Sequence, residues 1–288
     1  MKKTLVIALA VIVVSGIFLL PSANATTVAH YRFEQDFTDS GSNNLHGTGV
    51  GSLAFTTDVA PPITTGSFSL DATEDFDFVR VVDDPLLHLT GDFTVEAFVR
   101  PFNDLPGGGA EPHMIVSKQN YEGFGTFLDA YDLMYNQDTG IFATSIGFGS
   151  NAGKYIESAP IFDDNEWHHV AMTYTLIGGD QATLNLFVDS NLEATDTFDT
   201  LPLFFGDDPL YIGAGNFGTY AGTGTWRRNF IGNIDEVRIS DVALSPDQFL
   251  NNQVIPEPST LALFGLGIVA VLGFGYRRFR IKRRLFDG

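Results

Sequence analysis

The clearest secondary-structure signal in this sequence is the segment Phe93-Thr94-Val95-Glu96-Ala97-Phe98-Val99-Arg100. Every second residue from Phe93 to Val99 is apolar. Successive side chains of a β-strand point to opposite faces of the sheet, so a period of two residues is typical of a strand with one buried face. The segment therefore predicts a strand whose apolar face packs against a second layer.

The same alternation recurs along the chain, and helical periodicity is nearly absent between residues 26 and 244. The apolar positions of these further runs are Val170, Met172 and Tyr174, then Leu184, Leu186 and Val188, then Val237 and Ile239. The 26 Phe residues supply bulk to fill the space between two sheets. The pattern predicts an all-β sandwich of two antiparallel sheets.

One short helix is predicted after the last strand. In Ser245-Pro246-Asp247-Gln248, serine stands at the N-cap, proline at the first helical position and glutamine at the third. This arrangement is a capping box with a favourable first residue. We expect the helix to end near Asn251-Asn252.

The segment from residue 26 to 255 is strongly acidic. It holds 33 of the 35 Asp and Glu residues and 8 of the 16 Lys and Arg residues, a formal net charge of −25. Nucleic acid is excluded as a partner, because binding to phosphates needs positive charge. Divalent cations, cationic partners and simple solubility all remain compatible with this charge. The chain has no Cys, so its stability must come from its core or from a metal.

The first 25 residues are predicted to be a signal peptide. Lys2 and Lys3 precede an almost wholly apolar run from Thr4 to Leu20, and small residues follow at Ala23 and Ala25. Signal peptidase recognises this order, so we expect cleavage after Ala25. The alternative is a permanent N-terminal membrane helix.

The other end of the chain is predicted to enter a membrane. Residues 253–260 read as a proline-rich linker, residues 261–276 as an uncharged transmembrane helix, and residues 277–288 as a basic tail. By the positive-inside rule, the tail lies in the cytoplasm and the domain between residues 26 and 252 lies outside it. The run is shorter than the ~20 residues that span a bilayer comfortably.

This C-terminal segment resembles the PEP-CTERM sorting signal of Gram-negative bacteria. The matching residues are Pro256-Glu257-Pro258-Ser259-Thr260, the apolar run, and Arg277-Arg278. The resemblance implies processing by an exosortase, a membrane-embedded transpeptidase, and a link to exopolysaccharide and biofilm. It implies an exported, inner-membrane-anchored precursor that reaches the cell surface or the extracellular matrix. An ordinary C-terminal anchor is the alternative.

The domain between the two ends resembles the laminin G-like branch of the concanavalin A-like lectin/glucanase superfamily. Four segments carry the resemblance, namely His30–Gly47, Phe93–Val99, Glu166–Asp189 and Ile231–Ser245. It implies a jelly roll of two curved antiparallel sheets, with the first and last strands side by side. The sequence departs from the family at Phe98, where tryptophan is frequent, and at Asp189-Ser190, where an Asp-Gly turn is usual.

The same resemblance implies a structural calcium ion where the N-terminal loop meets the last strand. Carried over by position, Asp39 and Asp235 offer carboxylates, and Asn44 and His46 offer backbone carbonyls. Calcium prefers such oxygen ligands. The alternative is that Asp39 is a turn residue and Asp235 a solvated carboxylate at a strand end.

A ligand-binding surface is predicted in the glycine-rich segment from Asn216 to Asn229. It carries Tyr220, Trp226, Arg227 and Arg228. Exposed aromatic rings stack on sugars, and arginine holds carboxylates with two hydrogen bonds. The alternative is a long hairpin whose Trp226 packs inward.

No catalytic signature is present in the sequence. The laminarinase-type hydrolases of the superfamily need E-x-D-x-x-E on one strand, which this chain lacks. His168 and His169 are adjacent on a predicted strand, so they point to opposite faces and cannot hold one metal ion together. We expect a non-catalytic module that binds polysaccharide or a surface protein. A glycan-active enzyme with an unrecognised site and a purely structural surface component are the alternatives.

Overall fold

The computed structural model describes residues 27–60, 69–72, 77–102, 112–120, 128–149, 152–160, 162, 164–178, 180–215 and 229–252. The predicted signal peptide, linker, transmembrane helix and basic tail lie outside these ranges. Within them the chain is all-β, as predicted, with short 3₁₀ turns as its only helical elements. The described ranges contain no helix long and apolar enough to cross a membrane.

The described ranges contain fifteen strands, which form two layers. They are β1 Thr27–Tyr31, β2 Gly47–Val50, β3 Ala54–Thr56, β4 Ser69–Ala72, β5 Phe78–Val81, β6 Phe93–Pro101, β7 His113–Asn120, β8 Leu128–Asn136, β9 Ile141–Gly149, β10 Ala152–Glu157, β11 His168–Leu176, β12 Gln181–Val188, β13 Asn191–Asp199, β14 Leu210–Ile212 and β15 Gly232–Ser240. The 3₁₀ turns are Pro85–Leu87, Pro246–Gln248 and Leu250–Asn252.

The strands form two antiparallel sheets. Sheet A has the order β13-β12-β11-β6-β15-β4-β3, and β1 also pairs with β15. Sheet B has the order β10-β9-β8-β7-β14-β5-β2. The pairing of β1 with β15 places Tyr31 opposite Val237, which confirms that the first and last strands lie side by side.

The core fills the space between the two sheets. Phe93, Val95, Ala97 and Val99 of β6 all belong to it, as their spacing predicts. Contacts cross the layers, because the Phe93 and Tyr131 rings lie 5.5 Å apart and join β6 to β8. Alternation along single strands thus sets which side chains meet between the sheets.

The outer face of sheet A is covered by the segment from Val242 to Asn252, which we call the C-terminal strap. Leu244 and Phe249 of the strap pack on Ala171 and Phe187, and this contact explains why Phe187 is buried on the face opposite the core. The capping box of Ser245 and Gln248 forms as predicted. It opens two successive 3₁₀ turns instead of one longer helix.

A fully buried carboxylate, that of Glu96, lies beneath the strap. Its Oε2 accepts hydrogen bonds from His169 Nε2 at 2.8 Å and from the Leu250 backbone N–H at 2.9 Å. Its Oε1 accepts one from Arg238 Nε at 2.6 Å. We call Glu96, His169 and Arg238 the ion cluster. It joins β6, β11, β15 and the strap at one point.

Two opposing effects act on the pKa of Glu96. Burial alone would raise it, but the hydrogen bond and charge of His169 and the charge of Arg238 hold it below its usual value. The carboxylate is therefore ionised and fully partnered. A buried charge of this kind is tolerated only while its partners remain in place.

His168, on the other face of β11, ties two loops together. Its Nδ1 lies 2.8 Å from Asp189 Oδ2, and its Nε2 lies 3.1 Å from Asp164 Oδ1. Burial lowers the pKa of His168, but the hydrogen bonds and charges of the two aspartates outweigh burial and raise it. The two adjacent histidines therefore point to opposite faces, as predicted, and each has carboxylate partners of its own.

Replacing Glu96 with glutamine should lower the free energy of unfolding by about 3–5 kcal/mol, because it leaves the buried Arg238 charge uncompensated. Urea unfolding of the variant against the wild type measures this loss. Glu157→Gln is the matched control, because Glu157 is exposed on β10. Equal unfolding midpoints for the two variants would contradict the role given to the ion cluster.

Stability should also depend on pH through His168. Because the pKa of His168 is raised in the folded state, its stabilisation is complete below the ordinary histidine value of about 6.5 and is lost as the pH rises through the folded-state value. The difference in melting temperature between wild type and His168→Gln should therefore shrink as the pH rises above about 6.5. A difference that stays constant over this range would refute the argument.

Candidate functional site

The outer face of sheet B carries an unbroken line of mostly polar side chains, which we call the polar row. It takes one residue from each of six neighbouring strands. In sheet order these residues are Tyr155, Ser145, Asp132, Ser117, Tyr211 and Arg80. Each is directly opposite the next in the strand register.

The neighbours of the polar row along each strand show that it faces away from the core. Tyr131 and Leu133, on either side of Asp132, both belong to the core between the sheets. Leu210 and Ile212, on either side of Tyr211, do so as well. Because alternate residues face opposite ways, the row points outward from sheet B.

The centre of the polar row is polar and yet buried. Asp132 and Ser117 are both 0% exposed. Ser145 Oγ donates a hydrogen bond to Asp132 Oδ2 at 3.0 Å, whereas the Ser117 hydroxyl has no hydrogen-bond partner among the described residues. Buried polar atoms are normally paired, so the Ser117 hydroxyl is an unsatisfied group that a water or a ligand atom would complete.

The two ends of the polar row are open to solvent. Tyr155 is 50% exposed, and Arg80 is exposed on β5. Tyr155 Oη donates a hydrogen bond to Glu157 Oε2 at 3.1 Å. Burial and this hydrogen bond raise the pKa of Tyr155 to about 12, so the phenol stays neutral and keeps its proton.

This combination of groups favours one kind of ligand. A carboxylate and two serine hydroxyls supply acceptors and donors in the middle, and an exposed ring at the edge supplies an apolar surface. A molecule with several hydroxyl groups and an apolar ring face would satisfy both. The alternation along β8 contained the signal for Asp132, but a period of two residues gives no information on whether an outward residue is buried.

The residues predicted to hold calcium fall into separate hydrogen-bond groups. Asp39 Oδ1 accepts from the backbone N–H groups of His30 and Gly41 at 2.9 and 2.8 Å, and its Oδ2 accepts from that of Leu45 at 3.1 Å. The backbone N–H of Asp39 donates to His46 Nδ1 at 3.1 Å. The Asp39 carboxylate thus closes a turn and has little capacity left for a cation.

Asp235 has a different environment. It is 0% exposed, and its Oδ1 accepts from the backbone N–H of Glu236 at 2.9 Å. Burial, followed by the nearby charges of Glu236 and Glu34, raises the pKa of Asp235 to about 8. A cation beside this group would offset both effects, so Asp235 fits the chemistry of a calcium ligand.

The other members of the predicted calcium set add little to this test. Asn44 adopts a left-handed conformation with φ of 57°, and its side chain donates to the Ser42 carbonyl at 3.3 Å. The described part of the chain contains no group of three or more His, Asp or Glu residues that could hold a metal ion. Calcium binding stays a prediction, with Asp235 as its best-fitting residue.

Two other predicted sets lie outside the described residues. The first is the ligand-binding set of Tyr220, Trp226, Arg227 and Arg228. The second is the sorting signal, with Pro256, Glu257, Pro258, Arg277 and Arg278. The polar row was not found from the sequence, so it is an addition to these sets.

Comparison with protein-family models finds two matches in this chain. A laminin G-like model, described as the concanavalin A-like lectin/glucanases superfamily, matches residues 73–249, which is more than half of the chain. The PEP-CTERM protein-sorting motif matches residues 254–280. Both resemblances found in the sequence are confirmed. A search of curated proteins finds no match.

Several solved structures share the fold. The binding domain of Paraclostridial mosquitocidal protein 1 superposes with a TM-score of 0.57 at 13% identity, over 80% of this chain and 51% of that chain. The binding domain of botulinum neurotoxin DC, in complex with SialylT, superposes with a TM-score of 0.53 at 11% identity, over 79% of this chain and 50% of that chain. The chain spans about half the length of these structures, and identities this low establish the fold alone.

Proposed function

Because this chain belongs to the concanavalin A-like lectin/glucanase superfamily, we propose that it is a non-catalytic module that binds polysaccharide along the polar row of sheet B. The PEP-CTERM motif supports an exported protein that an exosortase processes. Adhesion to exopolysaccharide or to the biofilm matrix is the role that we propose for it, at the cell surface or in the extracellular matrix.

The observation that carries this proposal is the buried carboxylate of Asp132 between two serines. Asp132 is opposite Ser145 on one side and Ser117 on the other. Because Asp132 and Ser117 are 0% exposed, a sugar reaches them only where the chain that covers this face moves aside. The hydroxyl groups of the sugar then donate to the carboxylate and pair with Ser117 Oγ. Tyr155 at the open edge offers a ring face for a further sugar unit.

The described carboxylates on this face do not lie on adjacent strands. Glu157 is two strands away from Asp132 and two residues along, which puts their Cα atoms on the order of 12 Å apart. We propose binding and not hydrolysis because the sequence lacks the E-x-D-x-x-E strand that pairs carboxylates in the hydrolases of this superfamily.

The solved structures that share the fold add general support. The botulinum neurotoxin DC binding domain is described in complex with SialylT, and the Paraclostridial protein is also described as a binding domain. Both are described as binding domains, and this chain covers about half of each. We extend that use of the fold, though not the ligand, to this chain.

The proposal is tested by pull-down of the protein with exopolysaccharide from the producing cells, in three single variants. Asp132→Asn and Tyr155→Ala should each weaken binding about tenfold, because one loses a charged acceptor and the other a ring face. Leu192→Ala is the control, because Leu192 is 54% exposed on the far edge of sheet A. If Asp132→Asn and Tyr155→Ala both bind as well as the wild type, the polar row does not bind the polysaccharide.

We further propose a structural calcium ion at Asp235. An ion that binds only the folded state raises the melting temperature by mass action. Excess Ca²⁺ should therefore raise the melting temperature of the wild-type protein relative to chelator, and Asp235→Asn should abolish that shift. Asp207→Asn, which changes an exposed carboxylate, should keep it.

The calcium experiment has a clear negative result. The same melting temperature with Ca²⁺ and with chelator would refute calcium binding. A shift that survives in Asp235→Asn would place the ion elsewhere. Neither result affects the polar row, because its residues belong to sheet B and Asp235 belongs to sheet A.

A further inference from the structure

Exposed apolar side chains are concentrated at one end of the sandwich. Among the described residues, nine large hydrophobic side chains are exposed. Six of them share one end, which we call the far end. They are Val82, Leu86, Leu176, Ile177, Leu201 and Phe204, with exposures of 65, 49, 43, 51, 53 and 37%.

The strand register defines the far end in sheet A. Tyr174 is opposite Phe93, so β11 ends where β6 begins. Gln181 is opposite Asp199, so β13 ends where β12 begins. At this end of sheet A lie Leu176 and Ile177, at and just after the end of β11, and Leu201, just after the end of β13. The backbone N–H of Thr200 donates to the Asp180 carbonyl at 2.6 Å, which joins the two loops.

Sheet B brings the remaining residues to the same end. Asn120 is opposite Leu128, so β7 ends where β8 begins. Lys118, close to that end of β7, holds Asp83 at 2.6 Å and thereby fixes the chain just after Val82. The backbone N–H of Phe204 donates to the Gly147 carbonyl at 3.1 Å, near the end of β9.

Side-chain contacts hold the loops of the far end in place. Phe205 stacks on His88 with ring centroids 5.1 Å apart. Lys118 Nζ also donates to the Asp208 carbonyl. The segment from residue 201 to 209 is therefore pinned across the end, with Leu203 and Phe205 packed against the core and with Leu201 and Phe204 exposed.

Acidic side chains surround this apolar surface. Asp84, Asp92, Asp180, Asp199 and Asp207 all lie in the turns and strand ends of the far end, and Asp180, Asp199 and Asp207 are exposed. Three described basic residues lie close by. Lys118 is buried against Asp83, Lys154 lies 3.3 Å from Asp196 near the end of β13, and Arg80 is exposed two residues before Val82. Acidic side chains still outnumber basic ones at the far end, and we call them its acidic rim.

The tail of the chain leaves from the opposite end. Asn252 Nδ2 donates to Ser190 Oγ at 2.6 Å, and Ser190 belongs to the turn between β12 and β13. At the far end, β12 begins at Gln181 and β13 ends at Asp199. The turn that contains Ser190 lies at the opposite end of these two strands. Because the sorting motif begins at residue 254, attachment through the tail leaves the far end free to meet other molecules.

We propose that the far end is a docking surface for a protein segment that presents apolar side chains among basic residues. Exposed apolar side chains concentrated at one end of a domain mark an interaction site, and the acidic rim selects a partner of positive charge. The same rim repels an anionic membrane, so a lipid surface is the disfavoured occupant.

The test uses full-length protein in nanodiscs of zwitterionic lipid and a labelled amphipathic peptide of leucine and lysine. The peptide should bind, binding should weaken with salt, and a leucine–glutamate peptide should not bind. Ile177→Ser and Leu201→Ser together should weaken binding about tenfold. Leu192→Ser, a similarly exposed leucine near the opposite end, should leave it unchanged.

Three results would overturn the proposal. They are equal loss of binding in Leu192→Ser, equal binding of the leucine–glutamate peptide, and stronger capture by phosphatidylglycerol vesicles than by the basic peptide. Thermal melts of all variants should match the wild type, because the substituted side chains are exposed. Tyr155→Ala should retain peptide binding, so this experiment and the polysaccharide test succeed or fail separately.

Discussion

The buried carboxylate of Glu96 is the constraint on which the rest of sheet A depends. It lies on the central strand β6, and its partners come from β11, from β15 and from the C-terminal strap. An isolated charge in this position would cost several kcal/mol. The three strands and the strap must therefore be assembled together, and the carboxylate is satisfied only when the last residues of the domain are in place. Segments far apart in the sequence are coupled in this way.

The two outer faces of the sandwich have different roles as a result. On the outer face of sheet A, Leu244 and Phe249 of the strap pack against the sheet and stabilise it. The face of sheet B keeps a carboxylate and hydroxyl groups that contribute nothing to the core between the sheets. Ser145 pairs with the Asp132 carboxylate, whereas the Ser117 hydroxyl has no hydrogen-bond partner among the described residues. The strap contacts therefore lie on one outer face of the sandwich, and the polar row lies on the other.

Much of the fold follows from the sequence, because a two-residue period reports directly which residues face the core. The strand β6 and the pairing of β1 with β15 are as predicted. The site follows much less. The alternation could not show that Glu96 is buried under the strap or that Asp132 is buried on the outward face, since burial on the outer side depends on what covers the sheet. The turn at Asp189-Ser190 lacks glycine, yet both residues adopt left-handed conformations with φ of 50° and 65°. The Asp189 carboxylate compensates by binding the His169 backbone N–H at 2.9 Å.

The hydrogen bonds that hold Asn252 to Ser190 limit the freedom of the whole domain. The sorting motif begins at residue 254. The linker from Asn252 to Pro256 is therefore four residues long and can span at most about 14 Å. Whatever is joined to the chain at the motif is kept within about half a domain diameter of the turn between β12 and β13. The described residues thus place the point where the chain leaves the folded body at the pole opposite the far end.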